Sequence, residues 1–287
     1  MKIARTFKKI TLVTAGALLI TIVGLLFSFQ NSADAQEKTI KEMKELGVEA
    51  STFQVPFGDD EINTVYVGNI RNPKLLLIHG SPGDWTGWSG FMTDSILLEN
   101  FFMIALDRPG FGKTTLDAQK DLAVHGEAAT AVMRQFGPNE QFIVVGHSYG
   151  GAVVGQLMVS VPEMIEKAVL AAPAISPDHQ EARWYNKLAR YGLIKAIIGK
   201  DMRSSNVEML GLTESLKNIE EGFDSITVPH TFIHGERDIL VPYETVDYWK
   251  SHKLSSVEYV LREKMNHFVP WSDPELIKNA ILGIKQE

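Results

Sequence analysis

A serine in the string GHSYG (residues 146–150) has the surroundings of a catalytic nucleophile. The apolar run FIVV precedes the string, and the helix-like run GGAVVGQLMVS follows Ser148. A sharp turn from a strand into a helix holds a serine hydroxyl above the sheet, at the positive end of the helix. Glycines two positions away on either side leave room for that turn. The pattern therefore predicts Ser148 as the nucleophile of an acyl transfer.

A serine hydroxyl needs a base to take its proton, and the base needs a carboxylate to orient it. His267, in KMNHFVP, follows the last predicted strand, and Asp238, in FIHGERDILVP, follows the strand before it. Loops at the carboxyl ends of parallel strands meet at one edge of a sheet, so both side chains can reach Ser148. Glu236 is a rival to Asp238 for the carboxylate.

Two backbone N–H groups are predicted to stabilise the oxyanion that forms when the serine attacks. One belongs to Tyr149, directly after the nucleophile, and the other to Ser81 in the loop HGSPG. His79, which begins that loop, is interpreted as shaping it. Asp107 also ends a predicted strand, and we interpret it as a structural carboxylate bonded within the loop DRPGFGKT.

The elements that position these residues follow an alternation of strands and helices. Short apolar runs, typical of strands covered on both faces, occupy residues 74–80, 101–107, 141–147, 166–173, 230–235 and 256–261. Helical patterns lie near 86–99, 117–136, 149–161, 243–252 and 273–285, and strand-like patterns lie between about residues 51 and 69. The alternation predicts one α/β domain, residues 51–287, with a mostly parallel sheet.

Residues 174–225 interrupt this alternation, because they contain no convincing strand. They are predicted to form a helical cap inserted between two strands, over the carboxyl ends of the sheet. Apolar residues at helical spacing support a cap helix: Trp184, Leu188, Tyr191 and then Ile194 or Lys195. The cap is also rich in basic residues, which form either a solvated face or a stripe that rests on anionic lipid: Arg183, Lys187, Arg190, Lys195, Lys200 and Arg203.

The first 35 residues have the pattern of an export segment. Four basic residues precede an uncharged run at 10–29, and Ala33-Asp34-Ala35 follows. This predicts either a signal peptide cleaved after Ala35 or an N-terminal helix that anchors the chain in the membrane. In both cases the rest of the chain is exported, to the periplasm or exterior or to the outer face of the cytoplasmic membrane. Residues 36–50 are predicted to be a linker or short helix.

Composition excludes several classes of function. The chain of 287 residues has no cysteine, which excludes disulfides, thiol catalysis and cysteine-based zinc sites. Its net charge of −7 argues against nucleic acid as a partner. Acyl transfer by a serine, histidine and aspartate needs no cofactor or metal. The expected partner is a small-molecule acyl ester.

The strings HGSPGDWTGW, DRPGFGKT, GHSYGG, HGERD and NHF, in this order, resemble the α/β-hydrolase superfamily over about residues 50–287. The resemblance implies an eight-stranded, mostly parallel sheet with a helical cap after the sixth strand. It also implies a serine hydrolase that cleaves a carboxylic ester through an acyl-enzyme. Ser148 departs from the aspartate nucleophile of haloalkane dehalogenases and epoxide hydrolases, and Tyr149 from the tryptophan of proline iminopeptidases.

Other activities on the same fold stay open at this point. A lactonase, a carbon–carbon bond hydrolase and an acyltransferase all use a similar elbow and base. A non-catalytic relative that only binds a ligand is a further alternative, although such relatives usually lack a member of the triad.

Overall fold

An eight-stranded sheet forms the centre of the computed structural model, which describes residues 32–180 and 199–285. Its strands are β1 (Ser51–Phe57), β2 (Asp60–Val67), β3 (Lys74–Ile78), β4 (Phe102–Leu106), β5 (Phe142–His147), β6 (Ile165–Ala171), β7 (His230–Gly235) and β8 (Val257–Arg262). They lie in the order β1-β2-β4-β3-β5-β6-β7-β8. β2 pairs antiparallel with both β1 and β4, and the other pairs are parallel. The predicted eight-stranded, mostly parallel sheet is confirmed.

Helices cover both faces of this sheet. They are α1 (Ser32–Glu45), α2 (Ser89–Met92), α3 (Ser95–Asn100), α4 (Leu122–Phe136), α5 (Tyr149–Ser160), α6 (Lys200–Phe223), α7 (Glu244–Ser251), α8 (Val269–Ser272) and α9 (Pro274–Leu282). One buried cluster joins α4, α5 and α6 to the sheet, and a second joins α1 and α9 to its other face. Every residue of β3, β4 and β5 is buried, which explains their continuous apolar sequences.

Two observed helices begin later in the chain than predicted, because an aspartate side chain caps the N-terminus of each. The helix predicted at 86–99 is divided into a 3-10 turn (Trp85–Trp88), α2 and α3. The side chain of Asp94 accepts hydrogen bonds from backbone N–H groups of the first turn of α3, so a new helix begins there. The helix predicted at 117–136 begins at Leu122, because the side chain of Asp121 caps it.

The insertion between β6 and β7 contains a 3-10 turn (Pro177–His179) and the 24-residue helix α6. Leu212 and Leu216 of α6 are buried in the same cluster as α4 and α5. Within residues 174–180 and 199–225 the structure has no strand, as expected for a cap. The predicted cap helix around Trp184 and Tyr191 lies outside the described residues, as do the first four residues of the basic stripe.

The N-terminal helix α1 packs against the domain. Gln36 and Met43 are buried, with 1% and 2% of their surfaces exposed. The side-chain amide of Gln36 donates a hydrogen bond of 2.8 Å to Asp107 Oδ2. α1 also runs through Ala35, the predicted cleavage point. The uncharged run at 10–29 lies outside the described residues, and none of the helices in residues 32–180 and 199–285 has the length and hydropathy of a membrane span.

Candidate active site

Ser148 lies on a strained turn between β5 and α5. Its backbone angles are φ 55° and ψ −118°, and its N–H donates a 2.9 Å hydrogen bond to the carbonyl of Ala171. A Cβ on Gly146 would collide with the carbonyl of Gly150, and a Cβ on Gly150 would collide with the carbonyl of Ile78. Both glycines are therefore required by close backbone approach. The turn holds the serine at the N-terminus of α5, where partial positive charge favours an anion.

His267 and Asp238 are in contact, as the sequence predicts. His267 Nδ1 donates a 2.6 Å hydrogen bond to Asp238 Oδ2, and Asp238 Oδ1 accepts from the N–H groups of Leu240 and Val241 at 2.9 and 2.8 Å. Burial alone would raise the pKa of Asp238, but these hydrogen bonds outweigh burial and lower it. With Nδ1 protonated, Nε2 of His267 is left as the proton acceptor. The rival carboxylate, Glu236, is exposed to solvent.

Ser148 and His267 line one cavity of about 620 Å³. Its walls are largely apolar, and the side chains that form them are Trp88, Leu240, Phe268, Pro270 and Trp271. Trp85, a second tryptophan of the HGSPGDWTGW string, is buried in the core instead. A cavity of this size and composition suits a small organic ligand that carries an acyl chain.

The two N–H groups predicted to bind the oxyanion are available for it. Tyr149 is the first residue of α5, so its N–H has no partner within the helix. Among residues 32–180 and 199–285 neither this N–H nor that of Ser81 donates to a protein acceptor. Ser81 lines the same cavity as Ser148. The structure thus brings all five predicted site residues to one edge of the sheet.

Arg108 was not among the predicted site residues, yet it holds the loop that contains Ser81. Its Nε donates to the carbonyl of His79 and its Nη2 to the carbonyl of Gly80, each at 2.9 Å. His79 Nδ1 also donates to the Gly80 carbonyl, at 2.7 Å, which agrees with the loop-shaping role expected of this histidine. In a trans peptide the C=O and the following N–H point in opposite directions. Two donors on the Gly80 carbonyl therefore fix the direction of the Ser81 N–H.

Arg108 forms a buried ion pair with Glu208 of α6. Their side chains are 1% and 0% exposed. Burial raises the pKa of Glu208, and the positive charge of Arg108 opposes this rise. The guanidinium also lies 4.5 Å from the ring centre of Tyr149. The helix of the insertion is thus joined electrostatically to the loop of Ser81. The arginine belongs to the DRPGFGKT string, whereas nothing local in the sequence marks Glu208.

His147, directly before the nucleophile, supports the backbone of His267. Its Nε2 lies 2.9 Å from the carbonyl oxygen of His267. A carbonyl only accepts hydrogen bonds, so Nε2 carries the proton. Burial lowers the pKa of His147 to about 3, with a smaller contribution from His267. His147 is therefore a neutral donor that positions the base.

We expect His147→Gln to make folding less sensitive to acid. Unfolded, this histidine takes up a proton near pH 6.5; folded, it does so only near pH 3. Because folding lowers this pKa, the unfolded chain binds the proton more readily between pH 6.5 and pH 3. The contribution of His147 to the unfolding free energy is therefore complete above pH 6.5 and is lost as the pH falls towards 3. The loss amounts to about 1.4 kcal/mol per pH unit. A glutamine amide can donate the same hydrogen bond but does not titrate.

Urea unfolding between pH 7.5 and pH 4.5 measures this effect. The variant should lose less unfolding free energy than the wild type as the pH falls. An equal loss in both proteins would show that His147 is not a source of the acid sensitivity. The remaining candidates are the other histidines whose pKa values burial lowers, namely His79, His125, His230 and His234.

Known proteins share this fold and part of this sequence. A family model described as alpha/beta hydrolase fold matches residues 73–193. "Putative methylesterase 13, chloroplastic" from Arabidopsis thaliana is 28% identical over 125 residues, which are 42% of this chain and 27% of that protein. The chain thus spans about a quarter of the length of this relative.

Solved structures match the chain over most of its length. A membrane phospholipase A, described as a bacterial virulence factor, has a TM-score of 0.64 and 19% identity, with 100% of both chains covered. Carboxylesterase CesB from Bacillus subtilis has a TM-score of 0.64 and 18% identity, with 88% of this chain and 98% of that chain covered. At these identities the likeness shows the fold alone.

Proposed function

The chain belongs to the α/β-hydrolase superfamily, and on that premise we propose that it hydrolyses a carboxylic ester through Ser148, His267 and Asp238. One observation carries the proposal: a serine on a strained strand-to-helix turn shares a cavity with a histidine that is bonded to a buried aspartate. The words methylesterase, carboxylesterase and phospholipase in the names of similar proteins support an ester as the substrate.

The proposed reaction has two acyl-transfer steps. Nε2 of His267 takes the proton of Ser148 while Oγ attacks the ester carbonyl carbon, and the negative charge of Asp238 stabilises the imidazolium. The N–H groups of Ser81 and Tyr149 hold the oxyanion. The C–O bond to the alcohol then breaks, and the alcohol leaves with the proton from His267. Water gives a proton to the same nitrogen as it attacks the acyl-enzyme, and the acid leaves as Ser148 regains its proton.

A series of p-nitrophenyl esters from acetate to palmitate tests this function on the full chain, because Ala35 lines the cavity and Gln36 bonds to Asp107. We expect turnover with an optimum acyl length, since apolar walls bind longer chains more tightly until the cavity is filled. A fluorophosphonate should label Ser148 stoichiometrically. Absence of both turnover and labelling would contradict the proposal. The product ratio with a competing alcohol separates a hydrolase from an acyltransferase, because the acyl-enzyme of a hydrolase goes mainly to the free acid and that of an acyltransferase mainly to the new ester.

We also propose that residues 10–29 anchor the chain at the outer face of the cytoplasmic membrane. The uncharged run is 20 residues long, enough to cross a bilayer, and basic residues precede it. Packing of α1 supports an anchor over a cleaved signal, since cleavage after Ala35 would put a charged terminus on the buried Gln36.

Alkaline carbonate extraction of cell membranes distinguishes the two forms. The full-length chain should stay with the membrane, and a variant lacking residues 10–29 should not. Release of a soluble protein that begins at Gln36 would show a cleaved signal peptide instead.

A further inference from the structure

The cavity of Ser148 has an acidic wall in addition to its apolar ones. Asp84 and Asp201 line it beside Ala35 and Thr86. Asp201, in the first turn of α6, is only 6% exposed, and its Oδ1 has no hydrogen-bond partner within the described parts of the chain. Burial of a carboxylate oxygen without a donor is unfavourable. Because Asp201 lines the cavity, a ligand bound there can supply the donor that this oxygen lacks.

A third carboxylate, Asp107, lies behind this wall and is fully bonded. Its Oδ1 accepts from the N–H of Trp85 at 2.9 Å. Its Oδ2 accepts from Gln36, Asn63 and the N–H of Lys113 at 2.8, 2.7 and 3.0 Å. Asp107 therefore adds negative potential to this end of the cavity, but it has no oxygen to offer to a ligand.

Within the described parts of the chain, no cation is paired with the acidic wall. Among residues 32–180 and 199–285, no lysine or arginine forms an ion pair with Asp84 or Asp201. Lys200 is exposed and lies 3.4 Å from the carbonyl of Gly112. Burial, and then the charge of Asp84, raises the pKa of Asp201 to about 6, although the charge of Lys200 acts in the opposite direction. Above about pH 6 Asp201 therefore carries a negative charge that no ion pair with a lysine or arginine of the described residues compensates.

We propose that Asp201, with Asp84 beside it, binds a primary or secondary ammonium group carried by the substrate. An ammonium supplies both the N–H donor that Oδ1 lacks and a compensating positive charge. A hydroxyl would supply the donor without the charge. A divalent cation would need six or more oxygen ligands if it were calcium, and no group of residues in the described parts of the chain is arranged to hold a metal. The role of this subsite in turnover rests on the proposed ester hydrolysis, but ligand binding to it does not.

Calorimetry with hexylammonium and 1-hexanol, two ligands of equal chain length, tests the binding directly. The full chain should bind hexylammonium at least about tenfold more tightly than hexanol, as expected for a hydrogen bond to a charged group. Asp201→Asn keeps the shape and removes the charge, so it should abolish the preference. Glu214→Gln, an equal charge change at an exposed position of the same helix, should keep it. The subsite would be overturned if the wild type showed no preference for hexylammonium, or if Asp201→Asn showed the same preference. It would also be overturned if hexylammonium did not bind and Ca²⁺ instead stabilised the protein in a way that depends on Asp201.

Two matched esters connect the subsite to turnover. p-Nitrophenyl 6-aminohexanoate and p-nitrophenyl heptanoate differ only in an ammonium group in place of a methyl group. The ratio of their kcat/KM values should fall about tenfold in Asp201→Asn. An unchanged ratio with both esters hydrolysed would overturn the subsite and leave the proposed function standing. No hydrolysis of either ester, with hexylammonium binding that still depends on Asp201, would overturn the proposed function and leave the ammonium site standing.

Discussion

Replacing Ser148 with alanine should lower kcat for ester hydrolysis by about 10⁴- to 10⁶-fold. Alanine has no hydroxyl to attack the carbonyl, so only the oxyanion donors and substrate binding remain. Stability should change little, because alanine keeps the Cβ and thus the same strain at φ 55°. Nucleophile removal and structural damage are therefore separable at this position.

Ester hydrolysis and urea unfolding of the same preparation measure the two effects. Ser255→Ala, at an exposed serine before β8, is the matched control and should retain full activity. Fluorophosphonate labelling should disappear in Ser148→Ala alone. If Ser148→Ala kept more than a few per cent of wild-type kcat, another residue would be the nucleophile and the proposed mechanism would be wrong.

Arg108→Met should reduce both stability and catalysis. It leaves the carboxylate of Glu208 buried without its partner, which costs about 3–5 kcal/mol of unfolding free energy. It also removes the donor to the His79 carbonyl and one of the two donors to the Gly80 carbonyl, so the direction of the Ser81 N–H is held less firmly. Loss of one oxyanion donor lowers kcat by about 10²- to 10³-fold.

The double variant Arg108→Met with Glu208→Met separates these effects. Removing both charges should restore most of the lost stability, because neither is then left unpaired. It should not restore kcat, because the His79 carbonyl still lacks its donor and the Gly80 carbonyl keeps only the one from His79 Nδ1. Urea unfolding and ester hydrolysis of the single and double variants make the comparison. Recovery of kcat together with stability would show that Arg108 serves only to neutralise Glu208.

Local sequence determined the sheet and the nucleophile turn. Fully buried strands such as β3 and β5 are continuous apolar runs, which can be read directly from the chain. The glycines beside Ser148 are required by backbone contacts within that turn and with β3, so the pattern is short and recognisable. Asp238 and His267 could be assigned because each follows a strand and parallel strands end at the same edge.

Chain order alone did not decide whether Asp238 or Glu236 is the partner of His267, and the burial of the two side chains distinguishes them. Asp238 and Glu236 are two residues apart in the same loop, and either could orient a histidine. The turn after β7 directs Asp238 inwards to His267 and leaves Glu236 in solvent. Helix caps likewise set boundaries that periodicity does not show. The side chain of Asp94 caps the start of α3 within a stretch that periodicity predicts as one continuous helix.

The sequence by itself determined the fold class and singled out the five residues proposed for acyl transfer, because each depends on contacts within one element or at one edge of the sheet. Only the tertiary structure showed that Arg108 forms an ion pair with Glu208, 100 positions away in the sequence, and that Gln36 donates a hydrogen bond to Asp107. It alone also placed Asp201 on the wall of the Ser148 cavity. Buried charges and unsatisfied oxygens are defined by what surrounds them in space, and no spacing along the chain specifies that environment.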